Sequence, residues 1–272
     1  MKHTLTILYI LFTCIPFSSC KKQIAAESEQ KLILHSAILN EDRVCLVSLP
    51  DSYDDTSEEG RDYPVLILLD GAVHFKTAIG VTHFMSSPRA GNHLMPETII
   101  VAIESPDREK DLTVTKIKTA RPNTMGGGKD FLKFIQDELI PYIDTNYRTT
   151  SHRTLAGHSL GGLLTINAYM DKGSLFDSYL AVDPSLWWDE QLTGTKVDTI
   201  SPASFQKKLY IATANQGEAK EGRNKKRHDL FFSLLQEKSA GEARVKLEYF
   251  EEENHRSVPL PALYYGLKYL NE

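Results

Sequence analysis

The apolar residues of this chain are concentrated in short, uninterrupted runs. Residues 65–69 and 98–103 contain almost no polar side chains, and acidic residues or proline flank both runs. A strand with one face in water shows a polar residue at every second position. A strand covered by helices on both faces is apolar throughout. Because both runs are also shorter than an ordinary helix, they predict buried strands of a parallel sheet.

A hairpin pattern precedes these runs. Residues 32–39 and 44–49 are rich in aliphatic side chains, and the polar turn Asn40-Glu41-Asp42 separates them, which is typical of two antiparallel strands. Further along, strands are predicted at residues 153–156, 179–182, 209–212 and 245–250, and helices at 130–143, 160–170, 228–238 and 261–270. This alternation predicts an α/β fold whose mainly parallel sheet is opened by an antiparallel hairpin and has helices on both faces.

The first twenty residues have a different character. Lys2 precedes an apolar stretch at residues 5–17, which is shorter than the roughly 20 residues of a membrane-spanning helix and is typical of an export signal. Phe17-Ser18-Ser19-Cys20 is similar to the lipobox of bacterial lipoproteins, although Phe17 replaces the usual aliphatic residue.

We therefore expect a lipoprotein-type signal peptide at residues 1–20, with Cys20 as the lipid attachment site. A polar tether at 21–30 and one domain at 31–272 would follow. This organisation predicts an exported, membrane-anchored protein of the cell envelope, either periplasmic or on the cell surface. The alternative is cleavage of an ordinary signal peptide, with Cys20 incidental.

Composition narrows the classes of function. The 272 residues are 41% hydrophobic and 25% charged, with a net charge of −5, as in an ordinary globular domain. The one local basic cluster, at residues 223–227, has no interleaved aromatics, so we expect a solvated loop or helix start and no nucleic-acid partner. Cys45 lies in the apolar run 44–47 and is expected to be a buried hydrophobic residue.

The strongest chemical signal is Gly157-His158-Ser159-Leu160-Gly161, placed between the predicted strand 153–156 and the predicted helix 160–170. A Gly-x-Ser-x-Gly sequence in this setting forms a sharp turn that exposes a nucleophilic serine above a sheet. The glycines remove Cβ atoms that would clash in such a turn. Ser159 is therefore the predicted nucleophile, and the alternative is a glycine-rich turn with Ser159 as a helix cap.

A serine nucleophile needs a base, and in this architecture an acid and then a histidine follow the serine along the chain. His255 follows the last predicted strand, so it is the candidate base. Glu218 is favoured as the acid because it follows the strand at 209–212. Glu221 and Asp229 remain alternatives.

Backbone amides are expected to stabilise the oxyanion of the reaction. One is the amide of Leu160, directly after the nucleophile. The other is expected from the loop after the first parallel strand, Asp70-Gly71-Ala72-Val73, where the amide of Gly71 or Ala72 is the candidate donor.

With these residues in place, the chain resembles an esterase family of α/β-hydrolases. That family includes esterase D, the enterobactin and bacillibactin siderophore esterases, feruloyl esterase modules and mycolyltransferases. Besides the turn at Ser159, the resemblance rests on residues 63–75, 108–115, 131–143, 184–188 and 255–259. It implies the α/β-hydrolase fold, with Ser159 as nucleophile and His255 as base.

The resemblance also implies that residues 184–188 line the site. Trp187 and Trp188 are therefore candidates for stacking on a substrate ring, with core or loop packing as the alternative for both. Asp183 stands where siderophore-esterase relatives usually carry serine. Because of this departure, Asp183 is a further candidate for orienting the histidine, and the alternative is that it alters the substrate pocket.

The expected function is hydrolysis of a carboxylic ester through an acyl-enzyme, with no metal or organic cofactor. The candidate substrates are a siderophore ester, such as a ferric trilactone, and an acetyl or feruloyl ester of a polysaccharide. Two alternatives stay open. One is acyl transfer to an alcohol or sugar, and the other is a catalytically idle lipoprotein that binds a glycan or siderophore. The sequence leaves the oligomeric state open.

Overall fold

The structure is a computed structural model that describes residues 29–58, 60–87, 91–119, 122–173, 176–189, 192 and 195–272. The side chains of residues 218–223 are outside this description, as are the expected signal peptide, Cys20 and residues 21–28 of the expected tether. The tether prediction is wrong at its C-terminal end, because Glu29 and Gln30 already belong to the first strand.

One sheet of eight strands organises the described part of the chain. In chain order the strands are β1 (Glu29–Ser36), β2 (Glu41–Ser48), β3 (Tyr63–Leu68), β4 (Ile99–Ile103), β5 (Thr149–His158), β6 (Ser178–Val182), β7 (Lys208–Ala214) and β8 (Val245–Phe250). Across the sheet their order is β1-β2-β4-β3-β5-β6-β7-β8. The pairs β1–β2 and β2–β4 are antiparallel, and the remaining pairs are parallel. The predicted sheet, opened by a hairpin, is therefore confirmed.

Helices cover both faces of this sheet. They are α1 (Gly71–Ser86), α2 (Arg108–Leu112), α3 (Gly128–Phe134), α4 (Ile140–Asn146), α5 (Leu160–Met170), α6 (Thr195–Asp198), α7 (Glu218–Lys238) and α8 (Pro259–Asn271). A π-helical turn at Ile135–Leu139 joins α3 to α4. Within the described residues, no helix combines the length and the apolar character needed to cross a bilayer.

The central strands are buried on both faces, as the apolar runs predict. In β3, Val65 and Ile67 pack into a core cluster that includes residues of α3, α5 and α7. The intervening Leu66 and Leu68 pack on the other face, in a cluster with residues of α1 and α8. Alternate side chains of a strand point to opposite faces, so an uninterrupted apolar run fills both cores.

The two longest helices differ from the prediction, and the short helices α2 and α6 were not predicted. A loop was expected at residues 70–73, but α1 begins at Gly71 and continues to Ser86. Its buried Phe75, Ala78 and Met85 follow the spacing of one face of a helix. Helix α7 begins at residue 218, whereas the predicted start was residue 228. The first ten residues of α7 are mostly charged and lack the apolar period that identifies a helix.

Cys45 lies in β2 and is fully buried with a free thiol. Burial raises the pKa of this thiol to about 12, so it stays protonated and unreactive at neutral pH. The prediction that Cys45 is a small buried hydrophobic residue is confirmed.

Candidate active site

Ser159 occupies a strained turn between β5 and α5. Its backbone has φ 60° and ψ −114°, which side-chain-bearing residues rarely adopt. The chain doubles back so closely that a Cβ atom on Gly157 would lie 2.4 Å from the carbonyl carbon of Gly161. Only glycine fits at position 157, and the turn presents the Ser159 hydroxyl beyond the carboxyl end of β5.

His255 links this hydroxyl to a buried carboxylate. Its Nε2 lies 3.1 Å from Ser159 Oγ, and its Nδ1 lies 2.6 Å from Asp183 Oδ2. A second hydroxyl, Ser185 Oγ, lies 3.2 Å from Ser159 Oγ. The serine, the imidazole and the carboxylate are thus connected in the order required for proton transfer from the hydroxyl to the imidazole.

The structure gives the acid position to Asp183, the residue that directly follows β6. The preference for Glu218 is therefore corrected. Glu218 and Glu221 lie at the start of α7, with side chains outside the described residues. Asp229 pairs with Lys225 one turn away on α7, at 2.8 Å. Asp183 reaches His255 because β6, β7 and β8 are parallel neighbours, so the residues that follow β6 and β8 share one edge of the sheet.

Asp183 has no solvent exposure, and four donors surround its carboxylate. The Ala214 amide and Asn224 Nδ2 donate to Oδ1, at 3.2 and 3.1 Å. Gln216 Nε2 and His255 Nδ1 donate to Oδ2. Burial alone would raise the pKa of Asp183, but the bond from His255 and the other favourable contacts hold it below its ordinary value. The carboxylate is therefore ionised at neutral pH.

Two further histidines pack behind the site. The His158 ring lies 4.5 Å from the His255 ring and 5.4 Å from that of His74, between ring centroids. Burial, followed by the charges of its two neighbours, lowers the pKa of His158 to about 3. Burial also lowers the pKa of His74. Both rings are neutral at neutral pH.

The residues expected to supply oxyanion amides all lie in the first turns of helices. Leu160 begins α5, and Gly71 and Ala72 begin α1. The first N–H groups of a helix have no partner within that helix, so these amides are suited to bind an anion. The two helix starts are close, since a Cβ atom on Gly161 would lie 3.2 Å from Asp70 Oδ2.

Asp70 shapes the turn before α1. It has a left-handed backbone with φ 56°, and its side chain makes no helix-capping bond. Its carboxylate instead accepts two hydrogen bonds from Arg108, at 2.7 and 3.0 Å. This ion pair ties the turn to α2, which begins at Arg108.

An open pocket of about 480 Å³ lies over the site. It is lined by Ser159, Ser185, Trp187, Asn215, Gln216, Gly217, Asn224, Asn254, His255 and Arg256. Trp187 is 45% exposed and forms part of the wall. Trp188 is buried, and its Nε1 donates to the Thr115 carbonyl at 3.1 Å. Substrate stacking remains a prediction for Trp187, whereas for Trp188 it is replaced by a packing role.

The pocket also contains a cationic side chain. Arg256 contributes a positive charge to the pocket lining, while the basic cluster at 223–227 lies within α7. Among the residues that the structure describes, no group of three or more His, Cys, Asp or Glu side chains is arranged to hold a metal ion.

Residues 36–257 match the sequence profile of the family described as "Putative esterase". The chain belongs to this family. Together with the fold, the membership identifies it as a carboxylic ester hydrolase with the α/β-hydrolase architecture, which confirms the resemblance seen in the sequence.

Solved and curated relatives are similar to this esterase over different lengths. A crystal structure of an IroE-like serine hydrolase from Shewanella oneidensis superposes with a TM-score of 0.76 at 31% identity, covering 89% of this chain and 80% of that one. The siderophore enterobactin esterase of Emericella nidulans is 28% identical over 83% of this chain and 88% of its own. The siderophore triacetylfusarinine C esterase of Aspergillus fumigatus is 31% identical over 53% of this chain. That match spans about half, 51%, of the Aspergillus protein.

Ser185, Gln216 and Asn224 contact Ser159 or Asp183 through their side chains, and none of them was predicted. Ser185 lies within residues 184–188, which were expected to line the site, so the motif did contain a signal for it. Gln216 and Asn224 are neutral amides in a polar segment. Nothing in their spacing distinguishes them from other surface amides, and only the folded arrangement brings them to Asp183.

Proposed function

We propose that this esterase hydrolyses siderophore esters through a serine acyl-enzyme, with Ser159 as nucleophile, His255 as base and Asp183 as the orienting acid. One observation carries the proposal. The hydroxyl, imidazole and ionised carboxylate are hydrogen-bonded in sequence at the floor of an open pocket.

In the acylation step, Ser159 Oγ attacks the ester carbonyl carbon while His255 Nε2 takes the hydroxyl proton. The carbonyl π electrons move to the oxygen, and the amides of Leu160 and of Gly71 or Ala72 are the proposed donors to this oxyanion. The oxyanion then collapses, and the bond to the alcohol oxygen breaks. His255 gives its proton to that oxygen, so an alcohol leaves and an acyl ester of Ser159 remains.

In the deacylation step, a water molecule attacks the same carbonyl carbon and His255 accepts a proton from it. Collapse of the second tetrahedral intermediate breaks the bond to Ser159 Oγ, which recovers its proton from His255. Asp183 holds the imidazole with Nδ1 protonated throughout, so that Nε2 faces the reacting groups. The products are a carboxylic acid and an alcohol.

The names of the relatives support a siderophore ester as the substrate. The Emericella and Aspergillus proteins are siderophore esterases by name, and the first is similar to this chain over most of its length. The pocket is open enough for a bulky ligand, and an exposed indole at Trp187 and a guanidinium at Arg256 line it. These groups suit a substrate that carries aromatic rings and negative charge.

The test uses the full-length protein in detergent with a ferric trilactone siderophore, a p-nitrophenyl ester, and acetyl and feruloyl polysaccharides. We expect turnover of the trilactone, and a loss of kcat on the order of 10⁵-fold or more in Ser159→Ala and His255→Ala. Matched controls are Ser151→Ala and His152→Ala, which alter exposed residues of the same strand and should keep full activity.

The other outcomes separate the competing functions. Hydrolysis of a polysaccharide ester in preference to the trilactone would refute the siderophore assignment and keep the esterase. Ester products in the presence of alcohol acceptors would indicate acyl transfer. If the folded protein hydrolyses none of these substrates and a fluorophosphonate fails to label Ser159, the protein is a binding lipoprotein on an esterase fold.

We also propose that Cys20 carries a lipid and anchors the esterase to a membrane of the cell envelope. The distance along the chain from Cys20 to the domain is short, because β1 begins at Glu29. Residues 21–28 can span roughly 28 Å when extended, so the domain would remain close to the bilayer. Cys20→Ser should move the protein from the membrane fraction to the soluble fraction, and unchanged fractionation would contradict lipidation.

A further inference from the structure

The segment after β7 surrounds the carboxylate of Asp183 with neutral donors. The Ala214 amide and Asn224 Nδ2 bond to Oδ1, and Gln216 Nε2 bonds to Oδ2 beside His255. A carboxylate offers about four acceptor positions, so these bonds occupy all of them. Asn224 is 4% exposed and lies in the second turn of α7. Its position is therefore fixed by the fold.

This arrangement exchanges two roles within the fold. The sequence predicts an acid in the segment after β7, but the acid follows β6 and the segment after β7 contributes amides. Gln216 lies two residues after β7, in the segment where the acid was predicted. Its Nε2 contacts Asp183 Oδ2 and lies 3.5 Å from His255 Nδ1. A side chain at position 216 thus reaches both partners of the pair.

We infer that Gln216 and Asn224 are positioning residues that set the basicity of His255 by distributing the negative charge of Asp183. The inference rests on the proposed function, in which His255 is the base. Each amide donor draws carboxylate charge toward itself, and hydrogen bonds to an ionised group are stronger than neutral ones. With one donor removed, more of that charge acts on the imidazole and favours its protonated form. The base then requires a higher pH to be active.

Among the side chains that the structure describes, three other histidines lie against or behind the pair. His158 faces His255 from the end of β5, with His74 behind it on α1, and His228 faces Asp183 from α7. Burial lowers the pKa of all three. His228 Nδ1 lies 2.8 Å from the Thr213 hydroxyl and its Nε2 lies 2.7 Å from the Pro184 carbonyl. The carbonyl favours the protonated ring, but burial outweighs it and lowers the pKa of His228. Burial therefore favours the neutral form of all three rings.

The first experiment measures kcat/KM against pH for Asn224→Leu and Gln216→Met. We expect the acid limb of each profile to move upward by about half to one pH unit. Gln236→Leu is the matched control, because Gln236 is an amide of the same helix that bonds to the Ala243 carbonyl instead. Folded variants with acid limbs at the wild-type pH would overturn the inference.

A second readout does not depend on activity. The ring-carbon NMR signals of His255 titrate with pH, and their midpoint should move upward in the same two variants and stay in place in Gln236→Leu. If the wild type proves inactive, the proposed function fails, but this titration still decides whether the amides control His255. Unmoved midpoints would overturn the inference even in an active enzyme.

Because residue 216 lies beside both Asp183 and His255, a carboxylate at this position should restore activity to a variant that lacks Asp183. Asp183→Asn alone should lower kcat by about 10⁴-fold. Adding Gln216→Glu to that variant returns a carboxylate within reach of His255 and keeps an amide opposite it, so we expect kcat to recover at least about tenfold. A folded double variant no faster than Asp183→Asn would overturn the placement of residue 216 beside both partners.

Discussion

Two carboxylates among the described residues are at most 1% exposed, and they have different roles. Asp183, at the carboxyl edge of the sheet, bonds to His255, whose side chain is 38% exposed in the pocket. Asp111, in α2, forms a two-pronged ion pair with Arg43 of β2, with both N–O distances 2.6 Å. The side chain of Arg43 is only 2% exposed. The partner of Asp183 is therefore accessible to solvent, whereas Asp111 and its partner Arg43 are both buried.

The difference between the two pairs lies in the partner. Burial works against the charge of Arg43, but Asp111 and Glu41 outweigh it and raise the pKa of the guanidinium. The Arg43 guanidinium therefore stays charged at neutral pH. His255 can gain and lose a proton, and its free nitrogen faces a hydroxyl. Of these two buried carboxylates, the one in the functional site is Asp183, whose partner can change its protonation state and lines a pocket.

The sharpest way to break this comparison is Asp183→Asn. We expect kcat to fall by about 10⁴-fold, because the new amide would donate to His255 Nδ1 and impose the wrong tautomer. The control is Asp229→Asn, which changes an acid candidate that pairs with Lys225 on α7. Comparable losses in both variants, measured on the same ester, would contradict the assignment of Asp183.

The second prediction concerns the buried pair of Arg43 and Asp111. Arg43→Met leaves Asp111 buried without its partner, so the free energy of unfolding should fall by about 3–5 kcal/mol. At temperatures where the variant is folded, its kcat should stay close to the wild-type value. Urea denaturation and ester hydrolysis at low temperature measure the two quantities separately.

Replacing both partners tests the origin of that loss. Arg43→Met combined with Asp111→Leu removes the uncompensated charge, so most of the lost stability should return. A double variant as unstable as Arg43→Met would show that the ion pair itself, and not the unpaired charge, determines the stability.

The smallest effect is expected behind the site, at His158. Its pKa in the folded protein is about 3, against an ordinary value near 6.5. As pH falls below about 6.5, His158 becomes protonated in the unfolded chain but stays neutral in the folded protein. The free energy of unfolding therefore decreases until about pH 3. The loss amounts to up to about 1.4 kcal/mol per pH unit.

Since His158→Phe keeps the ring and removes the titration, its melting temperature should fall less than that of the wild type between pH 7.5 and 4.5. His152→Phe, at an exposed position of the same strand, serves as the control and should follow the wild type. Identical pH dependence of His158→Phe and wild type would contradict the buried, neutral state of His158.

The parts of this molecule that depend on local chemistry could be predicted from the sequence. The parallel strands are visible because burial on both faces demands continuous apolar runs. Ser159 and His255 could be named because the turn needs glycines on either side and the histidine must follow the last strand.

The acid could not be identified in the same way. Any carboxylate at the edge of the sheet can serve, and the choice between Glu218 and Asp183 depends on which side chain the strand register directs to His255. The amides of Gln216 and Asn224 act only through that long-range contact. Helix α1 was missed because the glycine at its start was interpreted as part of a loop, although its buried residues follow a helical period.

Backbone strain is concentrated at one edge of the sheet. Asp70, Ser159 and Asp183 follow β3, β5 and β6, and all three have positive φ angles although none is glycine. Such conformations cost on the order of 1 kcal/mol or more each, and a short peptide would relax out of them. Neighbouring strands and helices must therefore hold all three at once. Covalent labelling of Ser159 would then report on the assembly of the whole sheet, since a fragment comprising only β5 and α5 has no means of keeping the serine in its reactive geometry.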